Sequence, residues 1–263
     1  MGSIYSRRPG GELPAGSLPT VSATPSDPLA DLAGLEGVGS AMAAARDGID
    51  ALLRDRGLRR TAPELTTESL LRGARASAVL DGSEATLDRL RAGDVDQTAS
   101  AALRVSTELL GLVPVLKRSP LQAFARLHTV AAKGTVDDGE LGRPVSQVGA
   151  ERLAELARLL LAPTRAPGLV AAAVVHAELR TVAPFVSHNG VVARAAERLV
   201  MVARGVDPTS LTVPEAGHLA LRAAYESNLT GYAQGGAGGA HAWLLYAAEA
   251  FTAGAQASPL RDG

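Results

Sequence analysis

From Asp31 onward, apolar residues return every three or four positions: Leu32, Leu35, Val38, Met42, Ile49, Leu52 and Leu53, through Arg56. That spacing predicts helix. A further helix is expected from Thr66 or Thr67, with Thr67 as N-cap and Leu70 and Leu71 as its first core residues. It runs through Ala78, Val79 and Leu80 to the stop signal Asp81-Gly82. Ser83 is placed to cap a short helix through Leu90. Asp96-Gln-Thr98 opens a longer one carrying Leu103, Val105, Leu109, Leu110 and Val113. Ser119-Pro120, an N-cap followed by proline at the first helical position, begins the next, with Leu121, Phe124, Leu127 and Val130 apolar. Later helices are predicted over 149–162, 167–182, 190–204, 213–232 and 239–255. Pro163, Pro167, the stretch Gly205 to Pro208, Pro214 and the glycines at 235–239 punctuate them.

One stretch breaks the pattern. Residues 133–148, KGTVDDGELGRPVSQV, hold three glycines, a proline and two adjacent aspartates, and predict a loop or short β-hairpin. Nothing else reads as strand, so the expected class is all-α with one hairpin. The organisation expected is a disordered tail at 1–28, rich in Pro, Gly, Ser and Thr, a helical segment at 29–62, a helical domain at 63–256, and a second tail at 257–263. No repeat of fixed period is visible. The glycines at 234–239 follow no strand, as a phosphate-binding loop requires, and are expected to be a helix–helix linker.

Composition narrows the chemistry. With 263 residues, 26 Lys+Arg and 27 Asp+Glu, the net charge is −1, which argues against a nucleic-acid partner. Cysteine is absent, which excludes disulfides, thiolate metal sites and a Cys nucleophile. Aromatics make up 3%, so Ala, Leu and Val must fill the core. The longest apolar run, Gly168 to Ala177, is about half the ~20 residues a bilayer span needs. The N-terminus lacks an apolar signal segment, and Gly2 with Ser6 matches a myristoylation spacing that we read as chance. The expected setting is cytoplasmic, without membrane contact, and the heavy Ala and Arg usage suggests a bacterial source.

The informative segment runs from His176 to Arg194. Pro184 ends one helix and Asn189-Gly190 begins another. Backbone N–H groups at such a junction, with Arg194 one turn into the new helix, form a candidate anion site. The run Ala183-Pro-Phe-Val-Ser-His-Asn-Gly-Val-Val-Ala-Arg194 resembles the Fic motif, His-Pro-Phe-x-(Asp/Glu)-Gly-Asn-Gly-Arg-x-x-Arg. Ser77-Ala-Val-Leu-Asp81-Gly82 resembles the inhibitory helix motif of that family, (Ser/Thr)-x-x-x-Glu-(Gly/Asn). The 133–148 segment sits where Fic proteins place a target-docking flap. Tyr225, Tyr232 and Trp243, followed by an apolar helix to Phe251, resemble their C-terminal pattern. The resemblance implies a helical Fic (Fido) domain over 63–256 that moves AMP, or another phosphate-containing group, onto protein hydroxyls.

The departures bear on that activity. The resemblance puts Ala183 where the family has its general base, Ser187 where it has the acidic Mg²⁺ ligand, His188 where it has the first motif glycine, and Val191 where it has a phosphate-clamping arginine. A methyl group accepts no proton, a hydroxyl is a poor sole ligand for a hard divalent ion, and valine carries no donor. His176, seven residues before Ala183 on a helix, lies too far away to replace the base. The expected function is therefore a catalytically degenerate Fido-domain protein, a pseudoenzyme binding a protein partner through 133–148, with an ATP-like nucleotide or other anion at Ser187, His188, Asn189, Gly190 and Arg194 and without strong Mg²⁺ binding. The alternative is a Fic-type transferase with altered chemistry.

No confident catalytic residue, metal site or cofactor is assigned. His188 is a candidate base, weighed against a plain loop histidine. Asn189-Gly190 reads equally as an ordinary helix start. Ser77, Asp81 and Gly82 form the inhibitory-like element, in which Asp81 pairs with Arg194 and staples that helix to the domain. His176, His218 and His241 are expected to be structural, with no acidic or histidine partner for His218 or His241 at metal-ligand spacing along the chain. The acidic pair Asp137-Asp138 reads as solvated turn chemistry.

Overall fold

The structure, a computed structural model, describes residues 27–54 and 63–262. Thirteen α-helices occur among them: α1 (Pro28–Ala33), α2 (Val38–Arg54), α3 (Pro63–Leu80), α4 (Leu87–Ala92), α5 (Gln97–Glu108), α6 (Val113–Arg118), α7 (Pro120–Ala132), α8 (Gln147–Leu161), α9 (Gly168–Val182), α10 (Asn189–Ala203), α11 (Pro214–Ala220), α12 (Arg222–Ala233) and α13 (Gly236–Gln256). No strand occurs among the described residues.

The centre of the fold is α10, where every residue from Gly190 to Met201 is buried. A helix buried on all sides has no solvated face for its charged residues, so each must find a partner in the protein. It packs against α9 most extensively, and against α3, α5, α6, α7 and α11. Small side chains allow this density: α9 buries Ala171, Ala172, Ala173 and Ala177 beside Val170, Val174, Val175 and Leu179. Arg198 of α10 is nearly inaccessible, and its guanidinium meets Glu215 at 3.0 Å, the Ser210 hydroxyl at 2.8 Å, the Thr212 carbonyl at 2.7 Å and the Ser69 hydroxyl. That one side chain ties α10 to α3 and α11. Trp243 of α13 is fully buried and donates its indole N–H to the Ala173 carbonyl at 2.8 Å, docking α13 on α9.

Local signals account for many boundaries. The Asp96 carboxylate caps α5 by accepting from Ala99 N at 2.8 Å, as expected. Ser83 does not cap α4. Thr86 does, and the Ser83 hydroxyl donates to Asp96 at 2.5 Å instead. The helix expected from Asp31 to Arg56 divides at Gly34–Gly37, with Gly37 at φ 75°. The second helix begins at Pro63, three residues ahead of expectation, because proline is favourable in a first turn. The helix expected over 213–232 breaks at Leu221 into α11 and α12. The glycine linker is shorter than expected: α13 starts at Gly236, and Gly239 packs where a Cβ would lie 2.3 Å from the Gly231 carbonyl oxygen. The run 97–118 is apolar and long enough to cross a membrane, yet here it packs against α3, α7 and α10.

The expected tails also differ. Residues 257–262 are ordered: Ser258 and Pro259 are buried, a 3-10 turn covers Pro259–Arg261, and Asp262 pairs with Arg72 of α3. Asp27 caps α1 and accepts from Thr164 and from Arg165 N at 2.7 and 2.9 Å. The rest of the expected N-terminal tail, residues 1–26 with Gly2 and Ser6, lies outside the described residues, as do 55–62.

Residues 133–146 are a chain of turns and not a hairpin, and 147–148 already belong to α8. No cross-strand ladder forms because their backbone bonds go elsewhere. Gly142 N donates to His128 Nδ1 at 2.9 Å, and Val145 N donates to the Pro184 carbonyl at 2.9 Å. A Cβ at Gly142 would lie 2.8 Å from the Ala125 carbonyl oxygen, so only glycine permits this approach to α7. His128 is fully buried and stacks on Phe185 with ring centroids 4.4 Å apart and planes 6° apart.

Two predictions concern this framework. The α11–α13 contact has no room at Gly217, where a Cβ would lie 2.0 Å from the Ala250 carbonyl oxygen. Gly217→Ala is expected to cost about 3 kcal/mol, the upper end for overpacking, read as a lower denaturant midpoint. The second is pH dependence. Burial holds the His128 imidazole down to about 4, with His188 adding to the effect. Because the unfolded chain binds this proton first, stability is full above about pH 6.5 and falls as pH drops toward 4. Melting temperature against pH should show that decline, and His128→Gln should flatten it. An unchanged slope would contradict this.

Candidate functional site

The α9–α10 junction is built by a left-handed turn at each end. Ala183 closes α9 at φ 45°, its N–H reaching the Leu179 carbonyl, and Pro184 prevents the helix from continuing. His188 stands before α10 at φ 55°. Between them, Asn189 grips the loop with both ends of its amide. Its Oδ1 accepts from Phe185 N at 3.0 Å and its Nδ2 donates to the Phe185 carbonyl at 2.7 Å. With Phe185 stacked on His128, the loop is pinned to α7 and α10 together. The Asn189 side chain is thus committed to shaping the loop.

Gly190 lies buried beneath the Asp81 carboxylate. A Cβ there would sit 2.5 and 2.6 Å from its two oxygens. Asp81 is brought in by the end of α3, and its Oδ1 pairs with Arg194 Nη2 at 2.8 Å. The Arg194 side chain is 1% exposed and that of Asp81 is 23% exposed, so the pair spans from core to surface. Every guanidinium nitrogen also has a hydrogen-bond partner. Nε donates to the Ser77 hydroxyl at 2.9 Å, Nη2 to the Ser77 carbonyl at 3.0 Å, and Nη1 to the Tyr225 hydroxyl at 3.3 Å. Burial opposes the Arg194 charge, but Asp81 and Tyr225 outweigh it and push its pKa up. The positive end of α10, Gly190 and Arg194 therefore converge on one carboxylate supplied by the chain itself.

The other expected residues surround this seat without lining one open concavity. Ala183 is exposed at the turn, and Val191 is 2% exposed with its side chain in the core. The Ser187 hydroxyl and His188 Nδ1 lie 2.8 Å apart, both residues half-buried. Burial, with Arg104 adding and Asp81 opposing, lowers the His188 pKa. The open cleft nearby, about 340 Å³, has Asp81, Arg180, Thr181, Tyr225 and Glu226 among its lining and meets the seat through Asp81 and Tyr225. Gly82, at φ 92°, ends α3 and turns the chain away. His241 is structural in position, its Nε2 2.6 Å from the Glu36 carbonyl at the α1–α2 turn.

One expectation is overturned. His218 does have an acidic and a histidine partner: its Nε2 lies 2.8 Å from Glu197 Oε2, and the same carboxylate's Oε1 lies 3.0 Å from His176 Nδ1. The three residues come from α11, α10 and α9, so their spacing along the chain carries no helical signature. The available signal was a glutamate in the mostly apolar run 191–201, a position that had to be paired if buried. The Tyr225 hydroxyl links this cluster to Arg194, standing 3.0 Å from His176 Nε2.

No protein-family model and no curated protein matches the sequence. Solved structures do match in shape. A Fic family protein from Desulfovibrio desulfuricans G20 superposes with a TM-score of 0.69 at 17% identity, covering 84% of this chain and 73% of its own. A fragment of Fic-1 from C. elegans superposes with a TM-score of 0.65 at 18% identity, covering 83% and 71%. A single-substitution variant of that fragment gives 0.59 at 18% identity, covering 83% and 70%. At such identities the likeness is one of fold, and this chain has the Fic (Fido)-type helical fold.

Proposed function

We propose that this chain is a catalytically degenerate Fic-fold protein, a pseudoenzyme that acts by binding a protein partner. The observation that carries the reading is the seat at the start of α10, occupied by Asp81 over Gly190 and locked to Arg194 at 2.8 Å. A phosphate entering beside that carboxylate would meet a like charge, worth ~4 kcal/mol at 4 Å in a partly screened setting. A nucleotide must therefore displace Asp81. Beyond the seat, the base, carboxylate-ligand and clamp positions hold Ala183, Ser187 and Val191. Loss of a general base alone costs on the order of 10²–10⁴ in rate. Positioning and charge neutralisation, which supply most of phosphoryl-transfer catalysis, go with the other two. Position 187 offers Mg²⁺ a hydroxyl and no carboxylate.

A partner-binding role draws support from the surface beside the junction. Leu121, 43% exposed, lines a groove of about 360 Å³ together with Ala125, Pro144, Ala150, Leu153 and Phe185. Apolar side chains clustered in this way favour a protein partner over a small polar ligand. The turns of 133–146, pinned by His128 and Pro184, form one wall. The cytoplasmic setting belongs to this same proposal.

The second reading, a transferase with altered chemistry, rests on the Ser187–His188 pair at 2.8 Å. A neutral imidazole bonded to a hydroxyl is the arrangement of a general base beside a nucleophile.

Three outcomes are expected. Incubated with Mg²⁺ and labelled ATP, the protein should transfer no AMP to itself or to a lysate. Asp81→Gly should remain inactive, because opening the seat uncovers no base. Only Ala183→His, Ser187→Asp, His188→Gly and Val191→Arg combined with Asp81→Gly should regain a trace. Robust labelling by the wild type, abolished by His188→Ala, would favour the second reading. For binding, a partner captured by the wild type should be lost by Leu121→Glu with Gln122→Glu at unchanged melting temperature. Equal capture by both would place the partner elsewhere.

A further inference from the structure

Behind the seat, three titratable side chains meet in the core. His176, Glu197 and His218 are each 0% exposed, and one donor atom from each lies within 4.8 Å of the others. The rings of the two histidines stand edge to face, with centroids 4.6 Å apart. Each imidazole has its outer nitrogen held by a phenol: His176 Nε2 by Tyr225 at 3.0 Å, and His218 Nδ1 by Tyr246 at 2.8 Å. The inner nitrogens both face the Glu197 carboxylate.

Hydrogen bonding leaves this centre incomplete. His176 Nδ1 and Glu197 Oε1 are 3.0 Å apart, yet neither has a hydrogen-bond partner of acceptable geometry. Two buried polar atoms in that state cost free energy. A cation ligated by both orphaned atoms would satisfy them together.

We propose that His176 Nδ1, His218 Nε2 and the two oxygens of Glu197 form a closed binding site for one divalent first-row metal ion, zinc by ligand type. Two imidazoles and a carboxylate suit zinc, and the phenols then play the outer-shell role that fixes tautomer and ring orientation in histidine metal sites. Metal–nitrogen and metal–oxygen bonds of ~2.0–2.2 Å place adjacent donors about 3 Å apart around the ion. The present separations of 3.0 and 2.8 Å already match. With all three residues inaccessible, the site leaves no open position for substrate. Its role is to join α9, α10 and α11, and it is loaded as the chain folds. It stands independently of the functional reading above.

The test uses the full chain purified without chelators or metal resin, and refolded with Zn²⁺, with Co²⁺ or with EDTA. About one zinc per chain, a higher melting temperature after zinc than after EDTA, and visible Co²⁺ absorption bands are expected. Tyr246→Phe, which releases the His218 ring, should weaken metal binding about 10–100-fold. Glu197→Gln should abolish the Co²⁺ bands. Less than a tenth of a metal per chain after zinc refolding, with the same melting temperature as in EDTA, would overturn the proposal. So would Co²⁺ bands that survive both Glu197→Gln and His218→Gln, since the ion would then sit elsewhere. If the core variants fail to fold, the wild-type metal content and spectrum decide alone.

Discussion

The buried guanidinium of Arg194 is the constraint to which the rest of the site answers. A positive charge at the centre of an all-helical core persists only when its donors are used, and here they reach two elements beyond α10. Ser77 and Asp81 bring in α3, and Tyr225 brings in α12. Removing one partner of such a pair costs ~3–5 kcal/mol, because the other charge is stranded. The contact that fills the seat is therefore also a contact that holds α3 against α10. The arginine is therefore needed for folding whether or not any phosphate visits it.

The same logic governs α10 as a whole. Its apolar residues surround three charged ones, Arg194, Glu197 and Arg198, and each is answered from a neighbouring helix. The junction ahead of it is shaped by different means, an amide gripping backbone and a ring stack, which leave its conformation independent of the side chains at 183, 187 and 191. Loop shape is thus decoupled from the residue types at those three positions.

Much of this was legible in the sequence. Helical periodicity predicts the elements, and Asp96 and Pro120 place two helix starts within a residue. The pairing of Asp81 with Arg194 follows from two short motifs far apart in the chain. What periodicity does not carry is the partner of a buried group. Glu197 lies 21 residues from each of His176 and His218, a spacing that signifies nothing until three helices are packed. The hairpin expectation failed for a related reason: turn-forming residues specify a change of direction, while the destination of the backbone N–H groups, His128 Nδ1 and the Pro184 carbonyl, is a tertiary matter. The C-terminal residues looked like a tail because short polar sequence does not reveal that Arg72 waits for Asp262.

The contact between Asp81 and Gly190 has a historical consequence. With both carboxylate oxygens within 2.6 Å of where a Cβ would stand, no larger residue can be accepted at 190 while Asp81 remains in place. The two positions can diverge only in one order: the carboxylate must retreat or be lost before the glycine is released. A lineage that kept Asp81 as a structural clasp after transfer chemistry lapsed would preserve Gly190 as a by-product. In such a lineage the glycine would be retained by a neighbouring side chain and not by a substrate.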